Sequence, residues 1–399
     1  MGKPLEKIVR GDNIMTAINK NRIVNETLEL VKTKSVTGNT TQIADIYENM
    51  LRNSGCNVKR YEFIKNNPTL VARFGNAEEG KKKLIFNGHM DVVPLEHEEA
   101  YVKEDKIYGR GTCDMKGSLA AILEVIRTIQ TLNMKVPGEI IIIANSLHES
   151  PGGRGEDLIA LVEKAKNLEA DAAIVMEGAT YDCTIAQIGS ATFNLTIARD
   201  GYPSHQLYTP DGTPHPISVM SDVIQTLDEK NKELAKDYIE DIGYGSYFVG
   251  NATSGKLYNQ TPKIAMLEGV RRYAPEQEFE DVETELKAMM RKVADRYHVT
   301  IDVDIRKVRD GYRVESDSSI MEALTKAIKQ VRGIDAPLVG KKLVTDAGIL
   351  ANGLNIPVVC SGPDQERAHA EEEYVLINEL QATAEIYMAI IKSFVGLKE

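Results

Sequence analysis

The sequence predicts an α/β protein: a discontinuous domain whose sheet is covered on both faces, interrupted by a small inserted α+β domain. Two observations carry this. Continuous apolar runs such as EIIIIAN (139–145) and DAAIVME (171–177) alternate with helical segments, and a strand that is apolar on both sides belongs in a sheet with helices on each face. From about Gly189 the pattern changes to alternating strands and two long helices in the order β-α-β-β-α-β, the ferredoxin-like arrangement. The predicted division is 1–188 plus 310–399 for the interrupted domain and 189–309 for the insertion.

Taken in order, residues 23–55 read as an amphipathic helix, a TGNTT turn and a second helix ending at Gly55. NVKRYEF, TLVARFG and KKLIFNG follow as strands. GSLAAILEVIRTIQTL (117–132) places small and apolar residues at helical spacing, and EDLIALVEKAKNL is a second such helix between the two buried strands. In the insertion, ATFNLTIARDG alternates as a half-exposed strand. A helix over about 216–240, strands near 246–257 and 263–272, a charged helix over 276–297 and the strand HVTIDVDIRKV complete it. SIMEALTKAIKQV, the buried strand NIPVVCSG and the helix INELQATAEIYMAIIKSF return to the first domain.

Composition narrows the function. A formal charge of -11 argues against nucleic acid or an anionic membrane as partner. No run of about 18 apolar residues exists to span a bilayer, and the N-terminal MGKPLEKIVRGDN has no secretory h-region. Cys56, Cys113, Cys183 and Cys360 are widely spaced and form no CxxC pair, which suits a reduced, cytoplasmic setting better than a disulfide framework.

Five metal-type residues stand where strands or turns run out: His89 in LIFNGHMDVV, Asp114 in YGRGTCDMKG, Glu149 in IIIIANSLHESPGG, Glu177 in AAIVMEG and His369 in VVCSGPDQERAH. Two imidazoles and three carboxylates suffice for two adjacent divalent cations, and a carboxylate can bridge the pair. In open α/β sheets ligands gather beyond the carboxyl ends of strands, and His89, Glu149, Glu177 and His369 are expected directly after such ends. Asp114 precedes a helix, whose N-terminus favours a carboxylate. Asp91, two residues past His89, is placed to accept its other ring N–H. Taken singly, Asp114 reads equally as a helix N-cap, and the loop acids and His369 as solvated side chains. Their joint placement is what points to metal.

GHMDVVP, YGRGTCDMKGSLAA, HESPGGRG, VMEG, DGYPSHQL and SGPDQERAHAEEEYV, in this order over nearly the whole chain, resemble the M20 family of metallopeptidases and deacylases. Its members include acetylornithine deacetylase, succinyl-diaminopimelate desuccinylase, an aminoacylase and glutamate carboxypeptidase. The resemblance implies that His89 and His369 each bind one of two zinc ions, that Asp114 bridges them, that Glu149 and Glu177 complete the sites, and that Asp91 orients His89. It also implies that the inserted domain is a lid that makes a homodimer. His205 in GYPSH would reach a neighbouring active site to polarise the scissile carbonyl. Arg272 in EGVRRYAP would hold a substrate carboxylate. Adjacent strand residues point to opposite faces, so only one of Arg271 and Arg272 can enter the cleft. The implied activity is hydrolysis of an amide bond in an N-acyl amino acid or short peptide, with zinc, cobalt or manganese all suited to mixed N/O ligands.

One position departs from the family pattern. Where the family carries a general-base Glu before the ligand Glu, this chain has His148. Three readings follow. A neutral imidazole, its pKa lowered by cations, accepts the proton of the nucleophile and passes it to the leaving amine. Alternatively His148 is itself a metal ligand, or it fills a vacated base position in a non-catalytic relative that keeps fold and metal. Cys113 reads as a small buried residue beside Asp114, Gly152, Gly153 and Gly155 as a backbone turn rather than a phosphate loop, and Glu373 as a support near His369.

Overall fold

The apolar runs of the first half line up side by side. In the computed structural model, which describes residues 17–149, 151–165 and 168–398, a mixed sheet runs in the order Asn57–Ile64, Asn67–Gly75, Glu139–Asn145, Lys83–His89, Ala172–Val175, Val358–Cys360, Cys183–Gln187. Lys83–His89 is parallel to both of its neighbours, and Val358–Cys360 is parallel to Ala172–Val175. The Asn57–Gly75 hairpin adds two antiparallel strands at one edge. Glu139–Asn145 and Ala172–Val175 are buried along their whole length, as continuous apolar runs require.

Helices cover the sheet in two groups. Gly117–Thr131 packs on Ile377–Ile390 and Lys20–Lys32, and Ser319–Arg332 joins Ile377–Ile390. Separately, Glu156–Lys164 and Ala347–Leu354 pack on each other and on the strands. Gly117 cannot carry a side chain, because a Cβ there would lie 2.4 Å from the Thr112 carbonyl oxygen. The sequence reading does not include the helix Ala347–Leu354 or the short strands Tyr101–Lys103, Lys106–Tyr108 and Tyr374–Leu376, which form their own small sheet. Strands of three residues are too short to show a period.

Among the described residues, one compact unit takes those up to Ile185 with Val314–Val339 and the chain from Thr345 on; the second takes Ala186–Arg313 with Gly340–Val344. The expected cuts were at 188 and 310, with no return at 340–344. That return is local: Ile188 donates its N–H to the Lys341 carbonyl at 3.2 Å, and Gly340 lies so close to the Asp241 backbone that a Cβ would sit 2.6 Å from it.

The second unit is a four-stranded antiparallel sheet in the order Ser246–Ser254, Ile264–Tyr273, Gly189–Ala198, Thr300–Arg309. This is the ferredoxin-like order. Ala191, Phe193, Leu195 and Ile197 alternate into a core with Val223, Leu227, Leu286 and Met290 of helices Pro216–Leu234 and Phe279–Tyr297. The first helix stops at Leu234 rather than near 240. Beyond it Ile239 donates to the Gly243 carbonyl at 2.6 Å in a turn that needs positive φ at Asp241 and Gly243, and that backbone cannot continue a helix. Among the described residues no helix is long and apolar enough to cross a membrane.

Candidate functional site

Register places the strand exits along one edge. His89, the last residue of its strand, pairs with Asn145, Asn87 with Val175, and Val175 with Cys360. Glu149 and Glu177 lie a few residues beyond Asn145 and Val175. His369 does not follow its strand directly, as expected from sequence. It is delivered by the long loop after Cys360, in a left-handed conformation with φ 60°.

The five expected donors converge. His89 Nε2 lies 3.1 Å from Asp114 Oδ1, and His369 Nε2 lies 3.2 Å from Asp114 Oδ2. Each carboxylate oxygen of Asp114 therefore faces a different imidazole, the disposition a bridging carboxylate needs. His369 Nε2 is also 2.9 Å from Glu149 Oε1. Asp114 makes no capping bond to the helix Gly117–Thr131, which sets aside the N-cap reading. Its Oδ1 instead accepts from Gln365 Nε2 at 3.2 Å, while Gln365 Oε1 accepts from the Gly178 N–H at 3.1 Å.

Asp91 serves the site in two ways. Its carbonyl is the nearer partner of His89 Nδ1, at 2.9 Å, with Oδ1 at 3.5 Å. Its carboxylate mainly fixes the neighbouring strand exit: Oδ1 accepts from the His148 N–H at 3.2 Å, and Oδ2 from the Glu149 N–H at 2.9 Å and Thr37 Oγ1 at 2.7 Å. The carboxylate was expected to orient His89; the main-chain oxygen is better placed to do so.

His148 is stacked on His89, ring centroids 4.2 Å apart and planes within 5°. Its Nδ1 lies 3.0 Å from Asp346 Oδ1. Asp346 Oδ2 accepts from Asn145 Nδ2 at 2.7 Å, and Asn145 Oδ1 from Asn87 Nδ2 at 2.9 Å. Sequence reasoning missed Asp346, Asn145, Gln365 and Thr37. Asp346 precedes the unread helix Ala347–Leu354 and reads locally as a cap residue; nothing in the spacing ties it to a histidine 198 positions earlier.

The loop before Asp114 hangs on one carboxylate. Glu373 Oε1 accepts from the N–H groups of Gly111, Cys113 and Asp114 at 3.0, 3.1 and 3.3 Å, and Oε2 pairs with Arg110 Nη1 at 2.8 Å. His97 Nε2 accepts from the Glu373 N–H at 2.9 Å. Cys113 is fully buried in this turn, and burial, reinforced by Glu373, pushes its thiol far above the usual range. A thiol so disposed is no nucleophile. Lys116, also fully buried, donates from Nζ to the Thr33 carbonyl at 2.8 Å, and burial lowers it to about 7.

The electrostatics show acids gathered against imidazoles. Burial works against ionisation of Asp114, yet hydrogen bonds to His369 and His89 hold it well below the usual carboxylate range. Burial pushes Glu177 up to about 7, and its Oε2 is buried with no hydrogen-bond partner among the described residues. Burial lowers His148, but Asp346 and Glu177 outweigh that and the His89 charge, raising it to about 9. The protein groups thus act on His148 opposite to the lowering expected from cations. A cluster of buried carboxylates with an orphaned oxygen fits divalent cations, because buried charge must be compensated. Among the described residues, two groups have donor atoms close enough to hold an ion: His89, His148 and Glu177, and His89, Asp114 and Glu149.

In the second unit, Arg271 is fully buried, 3.3 Å from Glu285 and over the Tyr247 ring at 4.6 Å. Arg272, on the other face of the strand, keeps a buried Nη1 without a hydrogen-bond partner among the described residues. His205 Nδ1 accepts from the Leu207 N–H at 3.2 Å and caps a short turn, and its Nε2 lies 3.3 Å from Asn259 Nδ2.

Comparison with known proteins agrees with this architecture. The sequence profile of peptidase family M20/M25/M40 matches residues 85–393. Curated relatives include a succinyl-diaminopimelate desuccinylase of Hydrogenovibrio crunogenus, 26% identical over 376 residues, spanning 90% of this chain and 95% of that protein. Another is an N-formyl-4-amino-5-aminomethyl-2-methylpyrimidine deformylase of Halalkalibacterium halodurans, 26% identical over 392 residues, spanning 86% and 87%. Among solved structures, aminopeptidase PepT from Bacillus cereus superposes with a TM-score of 0.79 at 20% identity, covering 95% of this chain and 99% of that one.

Proposed function

The chain belongs to peptidase family M20/M25/M40, and we propose that it is a metal-dependent amidohydrolase acting on N-acyl amino acids or short peptides. The observation that carries the proposal is the convergence of His89, Asp114, Glu149, Glu177 and His369 at the carboxyl edge of the parallel strands, with Asp114 presenting one oxygen to each imidazole. His89, Asp114 and Glu177 would hold one ion, and Asp114, Glu149 and His369 the other. Divalent cations there would supply Lewis-acid polarisation of the scissile carbonyl and activation of water at neutral pH.

The remaining roles fall to side chains of this chain. Asp91 holds the Glu149 main chain and the His89 ring, so the ligands are set before substrate arrives. Arg272 would take a substrate carboxylate, since a buried guanidinium donor without a partner is completed by a planar anion. His205, from the second copy of a homodimer, would donate to the developing oxyanion. His148 stands at the family's proton-transfer position, as an imidazole already engaged by Asp346. The curated relatives named above remove succinyl and formyl groups, which weights the proposal toward N-acyl substrates.

The test is release of free amine from a panel of N-acyl amino acids and dipeptides, with the protein stripped and then reloaded with zinc, cobalt or manganese. Cleavage that follows metal loading supports the proposal. A fully loaded protein that cleaves no member of the panel, and whose His148→Glu variant does cleave, would instead mark a non-catalytic relative.

A further inference from the structure

Resting on the metal-site reading above, we propose that His148 is a ligand of the ion shared by His89 and Glu177, with Asp346 fixing its tautomer, so that this ion takes two imidazoles rather than one. Ring nitrogens of His89 and His148 and a carboxylate oxygen of Glu177 lie within 4.8 Å of one another. Donors about 2.1 Å from a tetrahedral ion lie about 3.4 Å apart, so the three groups would draw together around the ion. Glu177 Oε2 is buried and lacks a hydrogen-bond partner among the described residues.

The second observation lies on the far side of the ring. Ligating histidines almost always engage their other nitrogen with a carboxylate or carbonyl, and His148 Nδ1 lies 3.0 Å from Asp346 Oδ1. A proton held on Nδ1 by Asp346 leaves Nε2 as a lone-pair donor. Asp346 is itself fixed, through Asn145 at 2.7 Å and from there to Asn87 at 2.9 Å. The chain Asn87, Asn145, Asp346, His148 is therefore a buried support that ends on an imidazole. The residue is anchored at both ends, its main-chain N–H by Asp91 at 3.2 Å and its Nδ1 by Asp346, and the ring, now parallel to His89, would tilt toward it to share the ion. An imidazole bound in this way is not a free base, so the departure from the family pattern at this position is a change of ligand set.

Zinc K-edge absorption spectroscopy on the full chain tests the proposal without any variant. Imidazole scattering equivalent to three histidines over the bound zinc (His89, His148 and His369) is expected, falling to two in His148→Gln. Cobalt titration of the stripped protein gives a second readout: His148→Gln and Asp346→Asn should each weaken one site about 10–100-fold and leave the other unchanged. Wild-type scattering equivalent to two imidazoles, with cobalt affinities unmoved in both variants, overturns the ligand role while leaving the amidohydrolase reading intact. A wild-type protein that binds neither metal overturns both.

Discussion

Replacing Glu373 isolates how Asp114 is held. Glu373→Ala removes the acceptor of three buried N–H groups and the partner of Arg110, both side chains being almost wholly buried. A buried amide left without an acceptor costs about 1–3 kcal/mol, and loss of one partner of a buried ion pair about 3–5 kcal/mol. These overlap, because the loop relaxes once for both, so about 3–5 kcal/mol is the expected loss. Glu373→Gln keeps an oxygen for the N–H groups but turns an amide donor toward Arg110. Burial already raises the Glu373 pKa against the opposing pull of the N–H groups and Arg110, so removing the charge recovers desolvation, and about 1–2 kcal/mol is expected. Urea unfolding followed by circular dichroism, with the slope checked for constancy, reads both values. An alanine variant within 1 kcal/mol of wild type refutes the account. So does a glutamine variant as damaged as alanine, which would make the charge rather than the acceptor decisive.

Other outcomes are equally definite. Burial pushes Asp157 up to about 6, above the ordinary aspartate value of about 3.9, so the unfolded chain gives up this proton first and stability falls as pH rises from about 4 to about 6; Asp157→Asn should erase a pH-dependent component of about 3 kcal/mol in unfolding curves compared at the two ends of that window. Arg272→Ala should lower kcat/KM about 10–100-fold for carboxylate substrates and leave their neutral amides unaffected, a difference that steady-state kinetics would show. Gly153→Ala places a Cβ 2.3 Å from the Leu147 carbonyl oxygen, and should lower the melting temperature and weaken metal binding together, as calorimetry and cobalt titration would record. Stripping metal should destabilise the chain, and zinc at about 100 times its Kd should restore about 2.7 kcal/mol, visible as a rise in melting temperature on titration.

The parts of the fold legible in sequence are those where a period and a boundary coincide. EIIIIAN becomes Glu139–Asn145 without error, and the alternation of ATFNLTIA becomes the buried row from Ala191 to Ile197. Elements whose length falls below one period, such as Tyr101–Lys103, stay unread. His89, Glu149 and Glu177 were legible because they sit at or just beyond exits that apolar runs mark, whereas Asp114 and His369 stand in a turn and a long loop and were read from their motifs. Asp346, Gln365 and Thr37 were not, because their roles come from distant elements meeting and their own neighbourhoods look like ordinary loops and caps. Arg271 and Arg272 show the middle case: alternation says that one faces the core, and only the placement of Glu285 and Tyr247 says which.

The grip of Asp91 on two successive main-chain N–H groups separates backbone from side chain at the most unusual position in the site. Because the path of residues 148 and 149 is anchored through amides, a side chain that fits the space of the imidazole and satisfies Asp346 can replace His148 while those anchors stay in place. The site is in that sense modular: chemistry at one socket can be exchanged while the neighbouring ligand stays in place, which makes position 148 the natural place to retune this scaffold by design.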